Sequence, residues 1–332
     1  MTMQVPSSDE GWNVWYDAEG AADISARKDV YRAGLPDGVE LFQLEEKTLE
    51  LATLLGNCSL NTVVDVGCSD ASWLHKLQQR GHEGLLIGIE PNAGQFGKEY
   101  YWEPEDGEVL DVSNGGPTNR LLIKSNAQAI PLADRTSDVT LMQLAMYHVP
   151  KPDQPMAIEE LKRITKDSGA VIITTRGENN KQTMNEMRQS VARYLARLMG
   201  EEIIPPANVN NDFTTENGRD LLPRHFSHVY ESTHHADLVF DTPDKFSVIE
   251  NAQATFRGLY KTKYGEPLMF PWGTPIDEFY KKRYELAFAQ SEMGHMLDIS
   301  EQPITDTQED AIFVCSNEPQ APLADLGYRP VA

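Results

Sequence analysis

The sequence predicts an α/β fold, a mostly parallel sheet with helices on both faces, and two stretches carry that expectation. Residues 62–66 (Thr62, Val63, Val64, Asp65, Val66) are rich in β-branched side chains and run straight into the small residues Gly67, Cys68 and Ser69, after which residues 72–80 read as a helix. A strand, a glycine turn and a helix place backbone N–H groups and a helix N-terminus at the strand's carboxyl end, where open α/β sheets bind nucleotide-like ligands. Residues 84–89 form a second buried-strand run, and it ends at Glu90, 25 residues past Asp65. A carboxylate there is placed to accept both hydroxyls of a ribose, which narrows the ligand to one carrying adenosine.

The run Asp65-Val66-Gly67-Cys68-Ser69-Asp70-Ala71 resembles the first motif of the class I, Rossmann-like S-adenosylmethionine-dependent methyltransferases, commonly Asp-x-Gly-x-Gly-x-Gly. Residues 125–132 resemble the family's Asp-Ala-x-x-Leu-Pro-Phe segment, residues 137–149 its fourth strand and following turn, and residues 157–175 its next helix and fifth strand. Residues 213–230 resemble a segment of the small-molecule branch. The resemblance implies a seven-stranded, mostly parallel sheet, to which the remaining residues are expected to add an N-terminal arm and a helical insertion between strands six and seven. It also implies S-adenosylmethionine as cofactor. Asp65 would orient the backbone and the cofactor's amino-acid end, with Gly67, Cys68 and Ser69 passing beneath it. Glu90 and the adjoining Pro91 would meet the ribose, Asn126 and Ala127 the adenine, and Gln143 and Leu144 would line the cleft. The sequence departs from the pattern at Ser69 and Ala71, where the family has glycine, and at Asn126, where it has aspartate. Serine and alanine still allow close backbone approach, but they give up some freedom for positive φ.

Composition bounds the partners. The chain has 332 residues, a formal charge of −22 and a pI near 4.7, and such acidity argues against nucleic acid, whose binding rests on Lys and Arg neutralising phosphates. The acidity itself reads as a solubilising surface. Cys58, Cys68 and Cys315 show no paired spacing, so neither a disulfide framework nor a metal site is expected. No signal pattern opens the chain and no apolar run is long enough to cross a bilayer, so a cytoplasmic protein with no membrane partner is expected.

Residues 1–55 are expected to form an arm and helices covering the cleft, 56–178 the cofactor-binding core, and 179–332 the rest of the sheet with a helical cap at about 243–298. Trp12, Trp15 and Tyr16 concentrate aromatic surface ahead of the first strand; the resemblance implies that they cover the cleft and a bound substrate, and they can also anchor the arm. Residues 39–55 have amphipathic spacing and Gly56 ends them. Residues 90–121 exceed a simple crossover and are turn-rich, which suggests a surface insertion. Helices are expected over 21–33, 181–199 and 219–230, the last leading to strand six, and residues 311–315 suit strand seven. The insertion at about 243–298 is expected to be a cap or a subunit contact of a homodimer.

Methyl transfer from a sulfonium is an in-line displacement, so the enzyme mainly aligns the reactants and excludes water. A general base is needed only for a weakly acidic hydroxyl or a protonated amine. His148, with Tyr147 beside it, lies just past the fourth strand and is the candidate, against a packing role. His225, His228, His234 and His235 have no recognised ligand spacing, so no metal is assigned. The leading expectation is a methyltransferase with a small-molecule acceptor. Its rivals are a protein or nucleic-acid methyltransferase, and a protein that binds an adenosyl cofactor or a nicotinamide dinucleotide without methyl transfer.

Overall fold

A computed structural model describes residues 43–55, 62–69, 71–91, 101–102, 109, 120–177, 213–240, 304–320 and 323–331. The chain divides into two compact units, residues 1–41, 179–209 and 235–308 in one and 42–178, 210–234 and 309–332 in the other. Of the first unit only the strand segments 235–240 and 304–308 are described. Trp12, Trp15, Tyr16, Asp70, the expected helices at 21–33 and 181–199, and the insertion at about 243–298 lie outside the described residues.

Among the described residues, nine strands form one sheet. They are β1 (Val63–Val66), β2 (Leu86–Glu90), β3 (Tyr101–Trp102), β4 (Arg120–Lys124), β5 (Ser137–Gln143), β6 (Thr165–Arg176), β7 (His228–Phe240), β8 (Ile304–Ser316) and β9 (Arg329–Pro330), in the order β3-β4-β2-β1-β5-β6-β8-β7-β9. The six strands from β3 to β6 are parallel along the sheet, β8 runs antiparallel to β6, and β9 runs antiparallel to β7. The sheet therefore exceeds the expected seven strands by two, both only two residues long. Tyr101 and Trp102, expected in a turn-rich insertion, pair with Leu122 and Ile123.

Successive strand residues feed two separate cores, as the period of two requires. Val64, Ile87, Met142, Ile173 and Phe313 face one core, while Val63, Leu86, Leu141, Ile172 and Ile312 face the other. Helix α3 (Gln154–Ile164) covers the first side with Ala157, Ile158, Leu161 and Ile164, which share one face at helical spacing. Helices α1 (Gln43–Leu55) and α2 (Ser72–Gln79) cover the second with Leu44, Leu51, Trp73, Leu74 and Leu77. Parallel strands covered on both faces read as near-continuous apolar runs, as β1 and β2 do apart from Asp65 and the closing Glu90.

The short helix before β7 starts earlier than expected. Helix α4 spans Thr215–Leu221 and is followed by a 3-10 turn at Leu222–Arg224, not a single helix from Arg219. Thr214 caps it, its hydroxyl accepting from the Asn217 N–H at 3.3 Å. Gly218 sits inside the helix because a Cβ there would meet the Phe313 ring at 2.6 Å.

Candidate active site

The strand order sets the site. From β1 the chain steps outward through β2 and β4 on one side, then returns to β5 on the other side of β1. The carboxyl ends of β1 and β5 thus flank the switch point, where open α/β sheets bind ligands. Four segments singled out by the sequence leave four adjacent strands at this edge: the turn after β1, Glu90 and Pro91 at the end of β2, Asn126 and Ala127 after β4, and Gln143 and Leu144 at the end of β5.

The turn after β1 is left-handed at three positions, Gly67 (φ 76), Ser69 (φ 52) and Ala71 (φ 57). A serine and an alanine therefore adopt the conformation that glycine would supply, each at a cost of about 1–2 kcal/mol. Gly67 has a second constraint, because a Cβ there would come within 2.5 Å of the Ala145 Cβ. The Gly67 and Cys68 N–H groups donate to the Ile89 carbonyl at 2.7 and 3.1 Å, which pins the turn to β2. Leu144 is also left-handed (φ 46), and its N–H donates to the Thr174 hydroxyl at 2.9 Å. Backbone strain of this kind gathers at ligand sites, where the surrounding structure holds it in place.

Glu90 is 5% exposed, and its Oε2 accepts the Ser69 N–H at 3.0 Å. Its carbonyl accepts the Ser125 N–H at 3.3 Å, so one residue joins the exits of β1, β2 and β4. Asp65 is 2% exposed and lies within β1. Cys68 and Ala127 are buried, Pro91 and Ser69 are half-buried, and Asn126 is exposed. Gln143 is held from outside the sheet, its Oε1 lying 3.0 Å from the Thr48 hydroxyl of α1. The same hydroxyl accepts the Trp73 indole N–H at 3.3 Å.

His148 and Tyr147 lie in a 3-10 turn, Met146–His148, just beyond β5, with their rings 4.3 Å apart. Arg176, at the end of β6, lies 6.0 Å from the Tyr147 ring centroid, within cation–π range. Burial, and then the Arg176 charge, push the His148 imidazole down to about 4, so it is neutral near pH 7. A neutral imidazole can accept a proton, but its protonated form is disfavoured here.

Thr48 and Arg176 join the site without having been singled out in the sequence. Thr48 falls on the α1 face shared by Leu44 and Leu51, a hydroxyl in an apolar stripe, and Arg176 is a charge closing the apolar run of β6. Among the described residues, no group of three or more His, Cys, Asp or Glu side chains is placed to hold a metal ion. Among them too, no helix is long and apolar enough to cross a membrane.

The residues fit an adenosyl ligand: a left-handed turn exposes backbone at the end of β1, and an acid sits beside it at the end of β2. Residues 64–173 match the family model described as a methyltransferase domain. Over 141 residues the chain is 26% identical to demethylmenaquinone methyltransferase from Shouchella clausii, a match that takes in 42% of this chain and 53% of the relative. The chain thus spans about half the length of that curated relative. Among solved structures, phosphoethanolamine N-methyltransferase 2 from Haemonchus contortus is similar with a TM-score of 0.48 and 9% identity, over 96% of this chain and 62% of that one. The YcgJ protein from Bacillus subtilis is similar with a TM-score of 0.46 and 14% identity, over 82% of this chain and all of that one. Neither structural likeness is close enough to bear on function. Residues 64–173 of this chain are thus similar to a methyltransferase domain, and they contain the turn after β1, Glu90 and the end of β5.

Proposed function

We propose that the protein moves a methyl group from S-adenosylmethionine to an oxygen, nitrogen or carbon atom of a small molecule. The observation that carries this reading is the joining of the β1 turn to the β2 acid through the Ser69 N–H and Glu90, at the switch point of the sheet. The cofactor supplies an electrophilic methyl group on a sulfonium centre, and the chain's part is to bind, align and exclude water. Glu90 receives the ribose hydroxyls, the backbone from Gly67 to Ser69 passes beneath the amino-acid end, and Asn126 and Ala127 meet the adenine. Gln143 and Leu144 line the cleft. His148 and Tyr147 belong to the acceptor side, where the neutral imidazole takes a proton only if the acceptor must lose one.

A small-molecule acceptor is favoured by the charge of −22, which disfavours nucleic acid. The curated relative acts, by its name, on demethylmenaquinone, itself a small molecule. Isothermal titration with S-adenosylmethionine, alongside mass analysis of any cofactor retained on purification, tests the reading. Micromolar binding, or S-adenosylmethionine or its demethylated product in the purified protein, is expected. A retained nicotinamide dinucleotide, or no binding, would overturn it.

A further inference from the structure

The segment that carries Asn126 and Ala127 is anchored at both ends, and the downstream anchor is not the sheet. Upstream, the Ser125 N–H donates to the Glu90 carbonyl, and the Ser125 hydroxyl donates to the Ala129 carbonyl at 2.8 Å, closing the turn on itself. Downstream, the end of α3 takes hold. Arg163 Nη2 donates to the Ile130 carbonyl at 2.8 Å, and its Nη1 donates to the Leu132 carbonyl at 2.7 Å and to Asp134 Oδ1 at 2.8 Å. Glu160, one turn earlier, accepts from Arg163 Nε at 2.7 Å and Nη2 at 2.8 Å, and from the Ile130 N–H at 2.7 Å. The contact closes with the Arg135 N–H donating to the Arg163 carbonyl at 2.9 Å, where Arg135 is itself left-handed (φ 57).

This arrangement commits the N–H and the carbonyl of Ile130 to two side chains of one helix. Only a planar fork can reach two carbonyls and two carboxylates at once, so lysine cannot replace Arg163. The packing of α3 does not require it, because that face is already filled by Ala157, Ile158, Leu161 and Ile164. What the fork does hold is the segment immediately past the turn at 126–129, at Ile130, Leu132 and Asp134.

We propose that Arg163 and Glu160 are positioning residues for the base of the cofactor, setting the turn at Asn126 and Ala127 so that it discriminates adenine from other purines. This rests on the reading of the site given above. The pair acts through the backbone of Ile130 and Leu132 and touches no ligand itself.

Titration of wild type, R163K, R163M and E160Q with S-adenosylhomocysteine and with S-inosylhomocysteine tests it, because loss of stability alone does not change the preference between two bases. Wild type is expected to prefer the adenosyl ligand. The variants are expected to lose about tenfold in affinity for it, equivalent to about 1.4 kcal/mol, and less than about twofold for the inosyl ligand. R163K is expected to behave like R163M, and it carries the test with E160Q should R163M fail to fold. Folded variants that keep the wild-type preference, with only the melting temperature lowered, would overturn the inference, as would a wild type without preference. A wild type that binds neither ligand would sink the reading of the site, and this inference with it.

Discussion

The Glu90 carboxylate accepts the Ser69 N–H at 3.0 Å, so the acid ending β2 and the turn leaving β1 form one unit. The two strands are parallel neighbours in register from Val63 opposite Leu86 to Val66 opposite Ile89. That register brings Glu90, one residue further on, level with the turn. Glu90 therefore does two things, shaping the turn and presenting a negative charge at the place proposed for the ribose.

Removing that charge should cost binding as well as fold, because the same carboxylate accepts the Ser69 N–H. Hydrogen bonds to charged groups contribute about 1.5–3 kcal/mol, so Glu90→Ala should weaken S-adenosylmethionine binding by about tenfold to a hundredfold in isothermal titration. Unchanged affinity would remove the ribose assignment.

Gly67 has to be glycine for two reasons, its φ of 76 and the 2.5 Å approach of an added Cβ to the Ala145 Cβ. Gly67→Ala should destabilise the protein by about 2–5 kcal/mol in urea unfolding, the sum of left-handed strain and overpacking. Adding Ala145→Gly should recover the overpacking part alone. Additive effects in the double variant would rule out the contact.

Ser69, in contrast, bears a strain that a substitution can relieve. Ser69→Gly removes the left-handed cost at φ 52 and keeps the backbone N–H that Glu90 accepts. Set against the greater freedom of glycine in the unfolded chain, the net gain should be about 0.5–1 kcal/mol. Lower stability in chemical denaturation would contradict this.

His148 should make stability depend on pH. Its imidazole falls from the ordinary 6.5 to about 4 on folding, so between those values the unfolded chain binds the proton and the folded chain does not. Its stabilising contribution is thus complete above pH 6.5 and is lost as pH falls toward 4, by at most about 3 kcal/mol. His148→Gln should flatten that part of the profile. Parallel profiles for wild type and variant from pH 7 to pH 4 would show that the imidazole stays exposed to water.

What could be read in the sequence was what local runs encode. The strands at Val63–Val66 and Leu86–Glu90, helix α2, and β5 through β6 declare themselves by apolar residues close in the chain. The strand pairs Tyr101–Trp102 and Arg329–Pro330 are too short to carry a period. Helix α4 was obscured because Gly218 looks like a breaker, when its lack of a side chain is what lets the helix lie against Phe313. In the site, the residues on the β1, β2, β4 and β5 ends were legible because each follows its own strand. Arg176 near Tyr147, Arg163 against Ile130 and Thr48 against Gln143 were not, since each contact joins elements 29 to 95 residues apart.

Thr48 carries a consequence of its own. A single hydroxyl stands between the amide of Gln143 and the indole N–H of Trp73, so a shift of the amide changes the polarity around a buried indole. A ligand taken up at the end of β5, as proposed above, is therefore expected to change the emission of Trp73 without any label being attached.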